Sequence, residues 1–284
     1  SPGEVIVCST GLIGELLPMS KIISGLDSIA PALNNDGLQT SAQAIMTTDS
    51  VPKIATANFN GAEFAGIAKG AGMLAPGLAT MLVVITTDAV IDSKSLDQAL
   101  RAATRVTFDR LDSDGCMSTN DQVTVMASGA SEVSPTQEDF TVALTQICIS
   151  LATQLQQDAE GSSHDITITV SGAASETDAE EVGRSVARNN LFKAAIYGND
   201  PNWGRILAAV GVTKAEFDPY NIDVSINGIS VSRKGQPDQP RELVDLTPRA
   251  VDIQINLNSG SHSVAIYTND LTHEYVTENS EYSS

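Results

Sequence analysis

Positive charge is scarce in this sequence. Its 284 residues include 16 lysines and arginines against 35 aspartates and glutamates, which gives a net charge of −19. Such an excess of negative charge repels the phosphate backbone of nucleic acids and the surface of anionic membranes. We therefore expect neither nucleic acids nor membranes as partners, whereas a small cationic molecule would be attracted.

Cysteine is also rare, and long apolar runs are missing. The three cysteines, Cys8, Cys116 and Cys148, have no spacing typical of metal ligands, which argues against a structural metal and favours a reducing compartment, the cytoplasm. We expect each to be a small buried hydrophobic residue rather than a nucleophile. No apolar run approaches the roughly 20 residues that a membrane-spanning helix needs. The 42% of hydrophobic residues is typical of a globular protein with one large or two ordinary domains.

A segment rich in glycine precedes the most apolar run. Residues 69–81 read Lys-Gly-Ala-Gly-Met-Leu-Ala-Pro-Gly-Leu-Ala-Thr-Met, and the apolar run continues to Ile85. Glycine and proline exclude a regular element before Thr80, whereas the apolar run predicts a strand buried on both faces. Thr80 therefore lies where an irregular loop enters a core strand. A threonine at such a junction can attack the carbonyl of Ala79, because an enforced, sparsely populated backbone geometry stores about 1–3 kcal/mol.

Cleavage between Ala79 and Thr80 would give Thr80 a free amino group. An α-amino group titrates at about 7.7–8 and a lysine at about 10.4, so a usable fraction of the amine is uncharged at neutral pH. The amine can then take the proton of its own hydroxyl, which activates the threonine as a nucleophile and predicts an acyl-enzyme with ping-pong kinetics. For an arbitrary Ala-Thr pair, a threonine that merely caps the strand is the alternative.

Residues 69–81 resemble the self-cleavage signature of the ornithine acetyltransferase (glutamate N-acetyltransferase) family of arginine biosynthesis. The resemblance covers essentially the whole chain and includes residues 8–14, 46–49, 200–205 and 270–275. It implies a mixed-sheet, layered α/β sandwich like that of self-processing N-terminal-nucleophile enzymes, with a smaller α+β part over about 165–284. Residues 1–79 would end the α fragment and residues 80–284 would form the β fragment. Because family members carry a further segment ahead of Ser1, we expect that a front portion is absent here.

The resemblance also assigns roles to individual residues. Thr80 is the nucleophile, Ala79 and Thr80 flank the cleaved bond, and Thr10 with Gly11 forms the oxyanion hole. From the residues alone, a plain turn at positions 10 and 11, a surface lysine and an exposed glutamate remain alternatives to functional roles. The substrate-binding residues that the resemblance implies are Thr47, Lys69, Thr80, Glu160, Asn279 and Ser284.

The implied reaction moves an acetyl group from N2-acetylornithine to glutamate, which releases ornithine. No metal and no cofactor are expected, acetyl-coenzyme A as a further donor is left open, and two α and two β fragments would form a heterotetramer. A self-processing amidase or aminopeptidase of the same fold type is the alternative enzyme. An unprocessed binding protein with a phosphate at the glycine segment is a third reading, although that segment lacks the Gly-Lys-Ser/Thr end of a P-loop.

Periodicity predicts the remaining elements. An alternating pattern over Ile166–Val170 predicts a strand, and Asn227-Gly228 between two apolar runs predicts a hairpin. The other predictions are a strand at 5–8 that ends at the Thr10-Gly11 pair, a helix face over 96–111, a helix over 140–155 capped by Gly161, a capping box at 177–180 that opens a helix, and a second hairpin over 251–266.

Overall fold

The computed structural model describes residues 3, 5–12, 14–34, 36–75, 81–118 and 120–281. Within these residues the fold is α/β, as the sequence predicts, with helices packed on two sheets. None of the described helices is long and apolar enough to cross a membrane. The helices are α1 (Met19–Ile29), α2 (Leu38–Ala44), α3 (Ser93–Arg105), α4 (Gln137–Gln157), α5 (Glu176–Ala187), α6 (Asn190–Tyr197), α7 (Trp203–Val210) and α8 (His273–Glu281).

The first sheet has four strands in the order β1, β2, β3, β4. These are β1 (Lys53–Phe59), β2 (Ala62–Lys69), β3 (Leu82–Thr87) and β4 (Gln122–Ala127). The first three pair antiparallel, and β3 pairs with β4 in parallel, beginning at Leu82 opposite Gln122. The apolar run after residue 80 therefore forms the buried strand that was predicted, with Leu82, Val83 and Ile85 almost inaccessible.

The second sheet has six strands in the order β10, β5, β9, β6, β7, β8. They are β5 (Asp165–Ala173), β6 (Asp223–Ile226), β7 (Ile229–Arg233), β8 (Gln236–Pro237), β9 (Ala250–Asn256) and β10 (His262–Asn269). The alternating pattern forms β5, and the Asn227-Gly228 turn, with both residues at positive φ, joins β6 to β7. Both predictions are confirmed.

The second predicted hairpin is wrong. Its two strands exist as β9 and β10, but β5 lies between them, parallel to β9 and antiparallel to β10. The strand that separates them comes from about 80 residues earlier in the chain, so no local turn signal could reveal the insertion.

Several predicted boundaries are also corrected. Residues 5–8 form no strand, and Val5, Ile6 and Val7 are exposed. The helix face predicted to reach Leu111 ends with α3 at Arg105 and is followed by a short 3₁₀ turn at Phe108–Arg110. Helix α4 ends at Gln157, before Gly161, and α5 is capped by the Ser175 hydroxyl rather than by Thr177.

Each sheet has its own hydrophobic core. The first core combines β1–β4 with α3 and α4, and the second combines β5, β6, β7, β9 and β10 with α5, α6 and α7. Of the cysteines, only Cys148 on α4 is fully buried, whereas Cys8 is half-buried and Cys116 exposed, so the expectation of three buried cysteines is wrong for two of them. The subdomain boundary expected near residue 165 stays a prediction.

Asp112 is a buried aspartate that ties the loop before β4 to α5 and β10. It accepts hydrogen bonds from Arg184 on α5 at 3.3 Å and from Arg188, which directly follows α5, at 2.8 Å. Its backbone N–H donates to the carbonyl of Tyr267 on β10 at 2.8 Å. Burial raises the pKa of Asp112, but the two guanidinium groups oppose that rise.

Helix α5 packs so tightly on the second sheet that Gly183 has no room for a side chain. A methyl group there would lie 2.6 Å from Cγ1 of Ile266. We expect Gly183→Ala to lower the free energy of unfolding, because overpacking costs about 1–3 kcal/mol while the helix gains only about 0.5–1 kcal/mol from alanine. The measurement is the urea unfolding midpoint.

Gly25→Ala is the matched control for this prediction. Gly25 also lies inside a helix, α1, but a methyl group there meets nothing within 4 Å. We expect this variant to be slightly stabilised, by about 0.5–1 kcal/mol. Stabilisation of both variants would contradict the tight packing at Gly183.

Candidate active site

A cavity of about 550 Å³ gathers residues from distant parts of the sequence. Of the predicted site residues, six line this cavity, while Ala79, Thr80 and Ser284 lie outside the described residues. The six are Thr10, Gly11, Thr47, Lys69, Glu160 and Asn279.

A buried charge network holds the loop of Thr47. The Lys53 ammonium, whose side chain is fully buried, lies 2.6 Å from Oδ1 of Asp49 and 2.6 Å from Oδ2 of Asp158. Asp49 also accepts the backbone N–H of Thr47 at 3.1 Å and that of Gly70 at 2.6 Å. One carboxylate therefore fixes both the threonine loop and the start of the glycine segment.

The electrostatics of Asp49 follow from these contacts. Burial by itself would raise the pKa of Asp49, but the Gly70 N–H and the Lys53 ammonium outweigh it and hold the pKa below its ordinary value. Asp49 is therefore a buried anion at neutral pH, as its hydrogen bonds require.

Lys69 is the last residue of β2 and is buried, with 1% of its surface exposed. The surface-lysine alternative is therefore wrong. Burial lowers the pKa of Lys69, and the negative charges of Asp49, Asp121 and Glu160 oppose this change. A buried cation that lines a cavity is well placed to attract the carboxylate of a small molecule.

Glu160 follows α4 in a short turn and is held on two sides. Its N–H donates to the Ala71 carbonyl at 3.0 Å, and its Oε2 accepts from the Asn279 side chain at 3.0 Å. Gly72 approaches so closely that a methyl group there would lie 2.6 Å from the carboxyl carbon of Glu160. The glycine segment and the C-terminal helix α8 thus meet at this carboxylate.

Helix α8 reaches the cavity because Gly161 permits a close backbone approach. Gly161 has φ +59°, and a methyl group there would collide with the backbone of Tyr275. The Thr272 hydroxyl donates to the Gly161 carbonyl at 2.6 Å and accepts the N–H of Tyr275 at 2.9 Å. Polar composition alone would have made residues 270–284 a frayed tail, whereas residues 273–281 are a helix that lines the site.

Thr10 and Gly11 also line the cavity. They follow the exposed residues 5–7 and belong to an irregular stretch of chain. The carbonyl of Ser9 accepts a hydrogen bond from the Asn120 side chain at 3.2 Å, which ties this stretch to the loop before β4.

Comparison with known proteins identifies the family. The family model described as the ArgJ family matches residues 1–284. The arginine biosynthesis bifunctional protein ArgJ of Streptomyces avermitilis is 57% identical over 282 residues, which are 99% of this chain and 74% of that protein. This chain belongs to the ArgJ family. The ArgJ protein of Thermobifida fusca is 55% identical over 284 residues and is matched over 74% of its length.

A solved ArgJ structure has the same fold. The crystal structure of the arginine biosynthesis bifunctional protein ArgJ from Bacillus halodurans matches with a TM-score of 0.66 and 37% identity, covering 71% of this chain and 98% of that chain. The resemblance predicted from the sequence is therefore confirmed, and so is the enzyme class, glutamate N-acetyltransferase. The roles of individual residues in this ArgJ chain stay predictions.

Among the charged side chains in the described lining of the cavity, acidic groups predominate. Asp114, Glu160, Glu278 and Glu281 line it, against Lys69 as the cation among the described lining residues. Burial raises the pKa of Asp114, although its carboxylate accepts the N–H of Met73 at 2.7 Å. Such a lining favours a ligand that has a positively charged group for the carboxylates and a negatively charged group for Lys69.

Sequence reasoning missed three residues that line this cavity or hold its lining in place. Asp49 was seen only as part of the Thr47 motif, and Asp114 and Tyr275 were given no role. Burial and the nearby Asp114 and Glu160 charges raise the pKa of Tyr275 to about 12, so its hydroxyl keeps its proton. The sequence offers a signal only for Asp49, which lies two residues from Thr47.

Among the described residues no cluster of three or more His, Cys, Asp or Glu could hold a metal ion.

Replacing Asp49 tests the charge network. We expect Asp49→Ala to lower the free energy of unfolding by about 3–5 kcal/mol, because Lys53 stays buried with only part of its compensating charge. Two backbone N–H groups also lose their acceptor. Urea unfolding measured at neutral pH gives the change.

The control is Asp97→Ala, which breaks the exposed ion pair with Arg101. Exposed pairs contribute about 0–1 kcal/mol, so we expect little change. Equal effects of the two substitutions would show that the buried position of Asp49 has no special importance.

Proposed function

We propose that this protein transfers an acetyl group from N2-acetylornithine to glutamate through an acetyl-Thr80 intermediate, after it has cleaved its own chain between Ala79 and Thr80. The observation that carries the proposal is the shared location of the predicted site residues. Six residues that the sequence resemblance names, spread from position 10 to position 279, line one cavity together with the glycine segment that leads to Thr80. Chance would rarely gather residues from five separate places in the chain.

In the proposed reaction the freed amine of Thr80 takes the proton of its hydroxyl, and the oxygen attacks the acetyl carbonyl of N2-acetylornithine. The Thr10 hydroxyl and the Gly11 N–H stabilise the oxyanion that forms. The bond to nitrogen then breaks, and ornithine leaves with the proton. The amine of glutamate attacks the acetyl-Thr80 ester in the same way, which releases N-acetylglutamate and restores the hydroxyl.

Charge placement supports these substrates. N2-acetylornithine carries one ammonium and one carboxylate. Glu160, which Asn279 holds, would take the ammonium, while Lys69 and Thr47 would take the carboxylate. Glutamate has an additional carboxylate, which the buried Lys69 also suits. The two substrates would thus use the same groups in turn, as ping-pong kinetics requires.

The length of the solved relative agrees with cleavage at this position. The match spans 98% of the relative's chain and 71% of this chain. Residues 80–284 are 205 of the 284 residues, which is a similar share of this chain. A fragment that begins at Thr80 would have about this length.

We further propose that two α and two β fragments assemble into the active enzyme in the cytoplasm. The assay of glutamate acetylation should include acetyl-coenzyme A as an alternative donor.

Substitution of Thr80 tests the cleavage and the nucleophile. We expect the wild-type protein to give two fragments, one ending at Ala79 and one beginning at Thr80, whereas Thr80→Ala remains one uncut and inactive chain. The reason is that alanine has no hydroxyl for either reaction. Intact-mass spectrometry resolves the chains, and incubation with N2-acetylornithine alone should add one acetyl group to the Thr80 fragment.

Product analysis separates the proposal from the hydrolase alternative. The proposed enzyme forms N-acetylglutamate in proportion to the ornithine that it releases. An amidase would instead release free acetate at a rate independent of glutamate. An intact Ala79–Thr80 bond in a fully active preparation would refute the proposed mechanism.

Glu160→Gln tests recognition of the ammonium. We expect the KM for N2-acetylornithine to rise by about tenfold or more with a smaller change in kcat, because a charge-assisted contact worth about 1.5–3 kcal/mol is lost in the bound substrate. Steady-state kinetics gives both parameters.

Glu274→Gln is the matched control, since it removes the same charge from the first turn of α8 without lining the cavity. We expect its KM to stay near the wild-type value. A similar rise in both variants would mean that overall charge, and not Glu160, determines binding.

A further inference from the structure

Asp121 lies directly before β4 and has no role in the proposed function so far. Its Oδ1 accepts the backbone N–H of Met81 at 2.7 Å. That N–H belongs to the peptide bond that joins Thr80 to Met81. The parallel pairing of β3 and β4 begins only at Leu82 and Gln122, so this N–H lies beyond the end of the ladder and a side chain supplies its acceptor.

The peptide group that follows Met81 is held by the first residue of β4. The carbonyl of Met81 accepts the N–H of Gln122 at 3.0 Å, and the side chain of Met81 is buried. Met81 is therefore anchored on both sides, by Asp121 and by Gln122, the first residue of β4. One of these two anchors is a carboxylate, which accepts hydrogen bonds more strongly than a neutral oxygen.

Cleavage makes this anchor important. Once the bond between Ala79 and Thr80 is broken, Thr80 is attached to the protein only through its peptide bond to Met81. A chain terminus frays unless it is tied down. Whatever fixes the Thr80–Met81 peptide group then fixes the nucleophile.

We propose that Asp121 is a positioning residue that holds the Thr80–Met81 peptide group, and with it the nucleophile, in the orientation needed for acetyl transfer. This inference rests on the proposed function. Burial raises the pKa of Asp121 to about 6, although the Met81 N–H and the charge of Lys69 on β2 oppose that rise. The Oδ2 atom of Asp121 is buried and has no hydrogen-bond partner among the described residues. A buried oxygen in that state is costly, which suggests that the carboxylate is kept for its contact with Met81.

The test compares Asp121→Ala with Asp121→Asn. Alanine removes the acceptor, whereas the asparagine carbonyl can still accept the Met81 N–H. We expect kcat, counted per cleaved chain, to fall by about 10²-fold in Asp121→Ala, because a misplaced reacting group costs that much, while KM for both substrates changes by less than about threefold. Asp121→Asn should recover most of the rate, to within about tenfold of the wild type.

Thr124→Val is the structural control. It removes the hydrogen bond that Gln122 donates to Thr124 at 2.8 Å on the same strand but leaves Met81 untouched, and we expect its kcat to stay near the wild-type value. Denaturing gels and thermal unfolding are recorded for every variant. If Asp121→Ala does not fold, Asp121→Ser replaces it, because the shorter side chain cannot reach the Met81 nitrogen.

Three results would overturn the inference: wild-type kcat in Asp121→Ala, equal losses in the alanine and asparagine variants, or a loss confined to KM. Failure of the proposed function is distinguishable from these. If the wild-type protein forms no acetyl-Thr80, the proposed function fails and this inference fails with it. If the wild type forms it and Asp121→Ala is equally fast, only this inference fails.

Discussion

The ammonium of Lys53, buried between Asp49 and Asp158, is the contact on which the cavity depends. An isolated buried charge is very costly, so the lysine requires both carboxylates to stay close. Asp158 comes from the end of α4, and Asp49 from the loop after α2. Since Asp49 also binds the N–H groups of Thr47 and Gly70, satisfying one charge sets the position of two segments of the site.

Two glycines also determine the shape of the cavity. At Gly72 and Gly161 the absence of a side chain lets other groups approach to distances that a methyl group would forbid. The glycine segment thereby reaches Glu160, and α8 reaches the turn that contains it. The start of α8 is held there by the hydrogen bond that the Thr272 hydroxyl donates to the Gly161 carbonyl.

The charge of the whole protein and the charge of its cavity have the same sign. An acidic lining around one buried lysine is suited to amino acids that carry an ammonium. Burial lowers the pKa of Lys69, and the surrounding carboxylates counteract this change. Glu160, which lines the cavity, is one of these carboxylates, so a group suited to a cationic ligand also helps to keep Lys69 positively charged.

The sequence by itself determined the features that depend on a few neighbouring residues. The buried strand after residue 80 follows from its apolar run, and the hairpin at Asn227-Gly228 follows from two residues that tolerate positive φ. The long, irregular glycine motif was specific enough to indicate the family, and it led to six residues that line one cavity.

Only the tertiary structure decided which distant segments meet. It placed β5 between β9 and β10, left residues 5–7 exposed, and brought Asp49, Asp114 and Tyr275 to the site. Such contacts depend on burial and on pairing across 80 or more residues, for example between Lys53 and Asp158. The energy of these contacts comes from groups that are remote in sequence, so no local pattern of residue types encodes them.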